Sequence, residues 1–306
     1  MSPTRRDLVR AGAAIAASAL LPPLRAAPAE PALIERRIPS SGESLPVVGI
    51  GTARRYDVSA TAEERAELTE VLRRFAASGG RLIDTAPSYG SAESVVGDLV
   101  SALGLRERLF LATKVGATGR EAGIAQLETS MRRLRTTTLD LVAVHNLQDT
   151  ATQLATLREW KQRGRIRYVG ITTSFDRQYA EFERTMRAET LDMVQVDYAL
   201  DNRGAGERIL PLAADRGMGV MVNLPFGRGR LFRAVEGKAL PEWAREFDCE
   251  SWAQFFLKYV IAHPAVTCVI PGTARVRYLA DNLGAARGRL PTAAMRRRME
   301  QFIDGL

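Results

Sequence analysis

Four residue types that can move protons sit at comparable places along the chain. An aspartate ends the apolar run Leu82-Ile83-Asp84, and a tyrosine follows in the loop Thr85-Ala86-Pro87-Ser88-Tyr89-Gly90. A lysine ends Leu111-Ala112-Thr113-Lys114, and a histidine ends Leu141-Val142-Ala143-Val144-His145. Each has an ordinary reading when taken alone. Asp84 can cap a helix, Tyr89 can be a rim aromatic, Lys114 a solvated strand end and His145 a satisfied core histidine. Their joint occurrence after three consecutive apolar runs is harder to assign to chance. Lysine sharpens the point, because only Lys114, Lys161, Lys238 and Lys258 occur among 43 basic residues. An ammonium at such a position, in a chain that otherwise uses guanidinium, suggests a need for a compact charge.

The elements that must carry these groups are legible as alternating patterns. A hairpin is expected first, with Leu33–Ile38 turning through Ser40-Ser41-Gly42 into Leu45–Gly51. Short apolar runs then follow at Val47–Gly51, Leu82–Asp84, Leu109–Thr113, Leu139–Val144, Tyr168–Ile171, Met193–Val196, Val220–Val222 and Val266–Ile270. Between them, apolar residues at spacings of three and four predict helices such as Glu63–Ala77, Ser91–Leu103, Gly123–Leu134, Thr152–Arg163, Glu207–Arg216, Trp252–Ala262 and Val276–Ala285. Strands without clear apolar/polar alternation indicate a parallel sheet covered on both faces. Eight such units fit a (β/α)8 TIM barrel with an N-terminal β-hairpin better than a doubly wound sheet. Gly49-Ile50-Gly51-Thr52-Ala53-Arg54 also lacks the third glycine of a Rossmann fingerprint. In a barrel the chemistry sits where strands end, which is where Asp84, Lys114 and His145 fall.

At these residues the body resembles the aldo/keto reductase family, whose catalytic tetrad is Asp, Tyr, Lys and His. The family phrase around the first two is matched by Ile83-Asp84-Thr85-Ala86, Tyr89-Gly90, Glu93 and Gly97. Lys114 sits in a Thr-Lys pair, and His145 closes Leu139-Asp140-Leu141-Val142-x-x-His. The likeness continues through Gln195, the Pro225-Phe226-Gly227-Arg228-Gly229 loop, Ile270-Pro271-Gly272-Thr273 and Asn282, from about Val47 to Leu283. It implies a barrel that binds a nicotinamide dinucleotide and reduces an aldehyde or ketone. Lys114 beside Tyr89 would stabilise the phenolate and move its pKa below the usual value near 10. Asp84 would keep Lys114 charged, and His145 would donate to the substrate oxygen, a contact worth on the order of 3 kcal/mol. Hydride must come from the nicotinamide, because no side chain supplies it.

The resemblance also implies cofactor contacts at Gly51, Thr52, Thr172, Thr173, Gln195, Pro225, Phe226, Gly227, Gly229, Pro271, Gly272, Thr273, Arg275, Arg277 and Asn282. Here the chain departs from the family pattern. Thr172-Thr173 replaces a Ser-Asn pair that holds the carboxamide, so the amide is lost. Asn223 stands where an aromatic stacks on the nicotinamide, a task that would pass to Phe226. Gly272-Thr273 replaces Lys-Ser, and Tyr278 occupies a later Arg position. Arg275 and Arg277, near a helix start, could take over a phosphate, which favours NADP(H) over NAD.

Charge and composition bound the rest. The formal net charge of +8 over 306 residues is partly a property of the first 29, which hold four arginines against Asp7. Thr4-Arg5-Arg6-Asp7-Leu8-Val9-Arg10, the apolar stretch after it and the small residues near Ala27 to Ala29 resemble a twin-arginine signal peptide. Residues 1–29 are therefore expected to be an export leader and 30–306 the barrel. The implied partners are the twin-arginine export machinery and a small carbonyl substrate, and the implied location is the periplasm. A monomer is expected, with no nucleic acid and no stable membrane insertion, since no run reaches the length of a bilayer span. Two histidines and no CxxC or HxxxH spacing argue against a metal site and a metal-dependent hydrolase. Cys268, inside an apolar run, is expected to be a buried thiol, and the basic segment from Arg287 to Arg298 a solvated face. A non-catalytic or sensory cofactor-binding barrel is the alternative, because Thr173 and Asn223 both lose a family contact.

Overall fold

The chain enters its barrel through a plug. The computed structural model describes residues 31–306, so the expected leader lies outside the described residues. Strands β1 (Glu35–Arg37) and β2 (Ser44–Pro46) pair antiparallel, with Leu45 opposite Arg36. The Gly42 amide donates to the Ile38 carbonyl at 2.8 Å to close the turn. Ile38 and Leu45 pack into the cluster formed by the inward residues of the barrel strands. Arg81 bonds to Glu43 and the Ser44 carbonyl, and the Tyr168 hydroxyl to Ser41 and Glu43. The hairpin thus covers the end where the strands begin.

Eight parallel strands follow: β3 (Ile50–Gly51), β4 (Leu82–Asp84), β5 (Phe110–Val115), β6 (Leu139–His145), β7 (Ile166–Thr172), β8 (Met193–Asp197), β9 (Gly219–Asn223) and β10 (Cys268–Val269). They are ordered sequentially from β3 to β10. Bridges from Val48 to Val269 and from Gly51 to Gly272 join the first strand to the last, closing the barrel. Eight flanking helices alternate with them: α1 (Ala62–Ala77), α2 (Ala92–Ala102), α3 (Arg120–Arg133), α4 (Thr150–Gln162), α5 (Tyr179–Ala188), α6 (Ala205–Asp215) and, after the short α7 (Arg230–Ala234), α8 (Trp252–Ile261) and α9 (Val276–Gly284). Helix α10 (Ala293–Asp304) ends the chain. Residues Ala32–Leu306 form one compact unit.

Side-chain alternation divides the core in two. Leu82, Phe110, Ala112, Leu141, Tyr168, Met193, Met221 and Cys268 belong to the inner cluster, whereas Ile83, Leu111, Val142, Val169, Val194, Val220 and Val269 pack with the helices. Both sets are buried, so each strand reads as an unbroken apolar run. The alternation fixes what comes next. Two residues beyond an inward position lies another inward position. Asp84 follows Leu82, Lys114 follows Ala112, Gln195 follows Met193, and Asn223 follows Met221.

Three differences from the sequence reading have local causes. The expected strand Leu45–Gly51 splits, because its start pairs with β1 while Ile50 pairs with Ile83 of β4. The segment between β9 and α8, where the sequence reading places no element, carries α7 and two 3-10 turns, Gly227–Gly229 and Glu242–Phe247. The basic tail is not uniformly solvated: Arg296 donates to the Tyr259 carbonyl and lies 4.5 Å from the centroid of the Tyr259 ring. Both cysteines are free and buried.

Candidate active site

Asp84, Lys114 and His145 end three adjacent strands, and they converge as the alternation requires. Lys114 is fully buried and donates to both carboxylate oxygens of Asp84 at 2.8 Å and to the Thr85 carbonyl at 2.8 Å. Its three N–H donors are therefore aimed at one wall. Just before it, the Thr113 hydroxyl donates to Glu93 of α2 at 2.7 Å, which ties the strand end to the helix that follows the tyrosine loop. Tyr89 lies over this pair, with Lys114 Nζ 5.0 Å from its ring centroid. The His145 ring meets the Tyr89 ring edge-on, with centroids 6.1 Å apart and an 82° interplanar angle.

The tyrosine loop is clamped by a residue that the sequence reading did not single out. Asp57 accepts from the Ser91 amide at 2.9 Å and from its hydroxyl at 3.0 Å. Gly90, with φ of +61°, lies against that carboxylate, where a Cβ would come within 2.2 Å of Asp57 Oδ1. Only a residue without a side chain fits both the backbone and the contact. The Tyr-Gly pair in the motif has this physical reason. No local signal in the sequence points to Asp57, because its partner lies 34 residues away.

Electrostatics sort the four groups. Burial alone would push the Lys114 ammonium down, but the Asp84 carboxylate and then Tyr89 outweigh it, and the lysine is held above its usual value. Burial pushes the Asp84 carboxyl up, with Lys114 and Gln195 pulling against it. His145 is lowered to about 4, by burial first and by the Lys114 charge second, so at neutral pH it is an uncharged imidazole that can still donate one N–H. For Tyr89 the sequence expectation is reversed. Lys114 does pull the phenol down, but burial and the Asp84 charge push harder, and its pKa is raised above the ordinary value. The phenol therefore keeps its proton in the neutral range.

The expected cofactor residues divide into a mouth and a rim. At the mouth, the Thr172 hydroxyl donates to Gln195 Oε1 at 2.7 Å, and Gln195 Nε2 donates to Asp84 Oδ1 at 3.0 Å. A second N–H on Gln195 and lone pairs on Thr172 remain for a ligand. Thr173 is already engaged: its hydroxyl donates to Gln178 at 2.6 Å and accepts from the Phe175 amide at 3.1 Å. Thr52 likewise bonds to the Asp84 carbonyl at 2.9 Å. Phe226 does not take over stacking, because its ring packs against Phe232 and Phe256, with centroids 4.9 and 6.5 Å away.

At the rim, Leu224, Gly227, Arg228 and Gly229 all have positive φ, so the Pro225–Gly229 loop is a strained turn that presents backbone. Gly227 has the carboxylate of Asp201 where its Cβ would be. Beside the loop is a cavity of about 250 Å³, whose lining includes Asp176, Asp197 and Asp201. Across the rim, Gly51 and Gly272 bridge the first and last strands, and Asn282 Nδ2 donates to the Thr273 hydroxyl, which bonds to the Pro271 carbonyl. Arg275 stands at the N-cap of α9, 3.9 Å from Glu67, and Arg277 stacks on exposed Tyr278 at 4.7 Å. Arg55, absent from the sequence candidates, places its Cγ 3.5 Å from the site of a Gly272 Cβ. The arginines and the backbone turn fit an anionic dinucleotide, whereas among the described residues no cluster of ligating side chains fits a metal ion.

Known proteins place this arrangement. The chain is 32% identical over 270 residues to methylglyoxal reductase YeaE of Escherichia coli (strain K12), covering 85% of this chain and 93% of that protein. Its fold is similar to an aldo/keto reductase from Klebsiella pneumoniae in complex with NADP and acetate, with a TM-score of 0.71 and 26% identity over 86% of this chain and 93% of that one. A Klebsiella pneumoniae aldo-keto reductase in complex with NADPH gives a TM-score of 0.72 and 25% identity over 89% and 96%. The sequence profile of the Aldo/keto reductase family matches residues 47–302, and the chain belongs to that family.

Proposed function

We propose that the protein is an NADPH-dependent reductase of a small aldehyde or ketone. The observation that carries this reading is the buried Lys114–Asp84 pair beneath a protonated Tyr89 and an uncharged His145. The nicotinamide, when bound, supplies the hydride that arrives at the carbonyl carbon. His145 donates its N–H to the carbonyl oxygen and so stabilises charge developing there. Tyr89 then gives its proton to that oxygen, and the Lys114 ammonium stabilises the phenolate that remains. Solvent reprotonates Tyr89, so one carbonyl, one NADPH and one proton yield one alcohol and one NADP⁺. Asp84 keeps Lys114 charged and fixed, and Gln195 holds Asp84. Arg275 and Arg277 support the phosphate-bearing cofactor through charge-assisted, forked hydrogen bonding.

The same reading extends to the leader. Residues 1–29 act as a twin-arginine signal, and the folded barrel is exported to the periplasm with its cofactor bound, which accounts for a redox enzyme in a compartment without a maintained nicotinamide pool. Oxidation of NADPH with methylglyoxal, the compound in the name of the Escherichia coli relative, is the first assay. Turnover that disappears in Tyr89→Phe while NADPH still binds supports the reductase. NADPH binding without turnover on a broad carbonyl panel points instead to a sensory barrel. Mass analysis of protein from the periplasmic fraction reports the mature N-terminus and any retained dinucleotide together.

A further inference from the structure

Asn223 is the last residue of β9, and the inward position of Met221 two residues earlier aims it at the barrel mouth. Its side chain is only half used. Nδ2 donates to the Thr173 carbonyl, just beyond the end of β7, at 3.2 Å, while Oδ1 is buried and has no partner. An unpaired buried acceptor costs roughly 1–3 kcal/mol. Such a group in a native mouth calls for a donor that arrives with a ligand.

The donor inventory of the mouth identifies that ligand group. Thr173 has no donor left, since its O–H goes to Gln178, and the Phe175 amide already takes one of its lone pairs. Thr172 and Gln195 are bonded to one another, leaving one N–H on Gln195 and the lone pairs of Thr172. Gln195 thus offers a donor, and Thr172 and Asn223 Oδ1 offer acceptors, which matches a primary carboxamide with its one carbonyl acceptor and two N–H donors. Resting on the reading of the protein as a nicotinamide enzyme, we propose that Asn223 binds the carboxamide N–H of the cofactor. The amide function missing at Thr173 is supplied from the strand across from it, two strands further round the barrel, and a hydrogen bond replaces ring stacking at this position.

The test is binding, not turnover, on the full mature chain. NADP⁺ is compared with its 3-acetylpyridine analogue, in which a methyl group replaces the carboxamide NH₂. The wild type should bind NADP⁺ up to about 100-fold more tightly than the analogue, the ratio expected for two net hydrogen bonds, of which Asn223 supplies one. Asn223→Ala should lose about tenfold for NADP⁺ and nothing for the analogue, and Thr173→Asn added to it should restore the preference. Equal wild-type affinity for the two ligands overturns the proposal whether or not any variant folds. So does an Asn223→Ala protein that keeps the wild-type ratio or loses both affinities equally. A wild type that binds neither NADP⁺ nor NADPH overturns the nicotinamide reading itself.

Discussion

The two halves of the barrel mouth are built on different terms. On the side of β4, β5 and β6, Asp84, Lys114 and His145 are strand ends, and Asp84 and Lys114 have their partners within the protein. On the side of β9, β10 and α9, the residues sit on turns and helix starts. Asn223 Oδ1 and Asp201 Oδ1 have no partner, Leu224, Gly227, Arg228 and Gly229 have positive φ, and the arginines are exposed or loosely paired. The difference teaches which charged groups are paired without a ligand, although the Thr85 hydroxyl beside the Lys114–Asp84 pair is also without a partner. Chemistry needs groups held before substrate arrives, whereas a cofactor site can keep its polar groups waiting.

The largest expected effect tests the paired half. Tyr89→Phe should lower kcat by about 10³ while leaving NADPH affinity unchanged, because it removes the acid and little packing. A residual rate near wild type would remove Tyr89 from the reaction. Lys114→Met strands the Asp84 carboxylate in the core, and denaturant unfolding should show a loss of about 3–5 kcal/mol. Equal stability would mean that the pair is not a buried, ionised one.

Rim variants should act on binding instead. Gly227→Ala drives a Cβ into Asp201 at a φ of +54°, and about 2 kcal/mol of strain is expected. Calorimetric titration with NADPH should weaken accordingly, with little change in the apo protein's tyrosine titration. Removing Arg275 and Arg277 together should weaken NADPH roughly 10- to 100-fold and NAD(H) far less. If the two cofactors lose equally, the phosphate is held elsewhere, with Arg55 the next residue to change.

The smallest effect is a pH dependence. His145 and His263 are both lowered to about 4 by burial, the former also by Lys114 and the latter also by Arg296 and Arg36. Their folded values lie below the unfolded value near 6.5, so the unfolded chain binds more protons between the two. The stability they contribute is present above about pH 6.5 and is lost as pH falls toward 4, on the order of 2 kcal/mol for each. Urea midpoints at pH 7 and 5 measure it. His263→Gln should flatten about half of the slope, and a slope indifferent to both histidines would show that neither is desolvated.

Most of the barrel was legible because its periods are local. Leu82–Asp84 and Met193–Val196 stand where the apolar runs put them, and α1 and α8 begin within a residue of their predicted starts. Boundaries failed where pairing changes partner, as at Pro46 and Ile50, since register is not written in one strand. Asp84, Lys114 and His145 are legible together because strand ends are points at which sequence position implies spatial position, and Tyr89 joins them through the short loop after Asp84. Asp57, Arg55 and the orphaned acceptor of Asn223 are not, because each acquires its meaning from a residue far along the chain.

The sequence alone determined the eightfold repeat, the position of the site residues at or just after strand ends and the family likeness, all properties of spacing. Tertiary structure decided the protonation states and the commitments. Burial raised Tyr89 where a neighbouring lysine alone would have lowered it, and hydrogen bonds engaged Thr173 while leaving Asn223 open. Desolvation and donor counts depend on everything that surrounds a group, and those surroundings exist only once the barrel has closed.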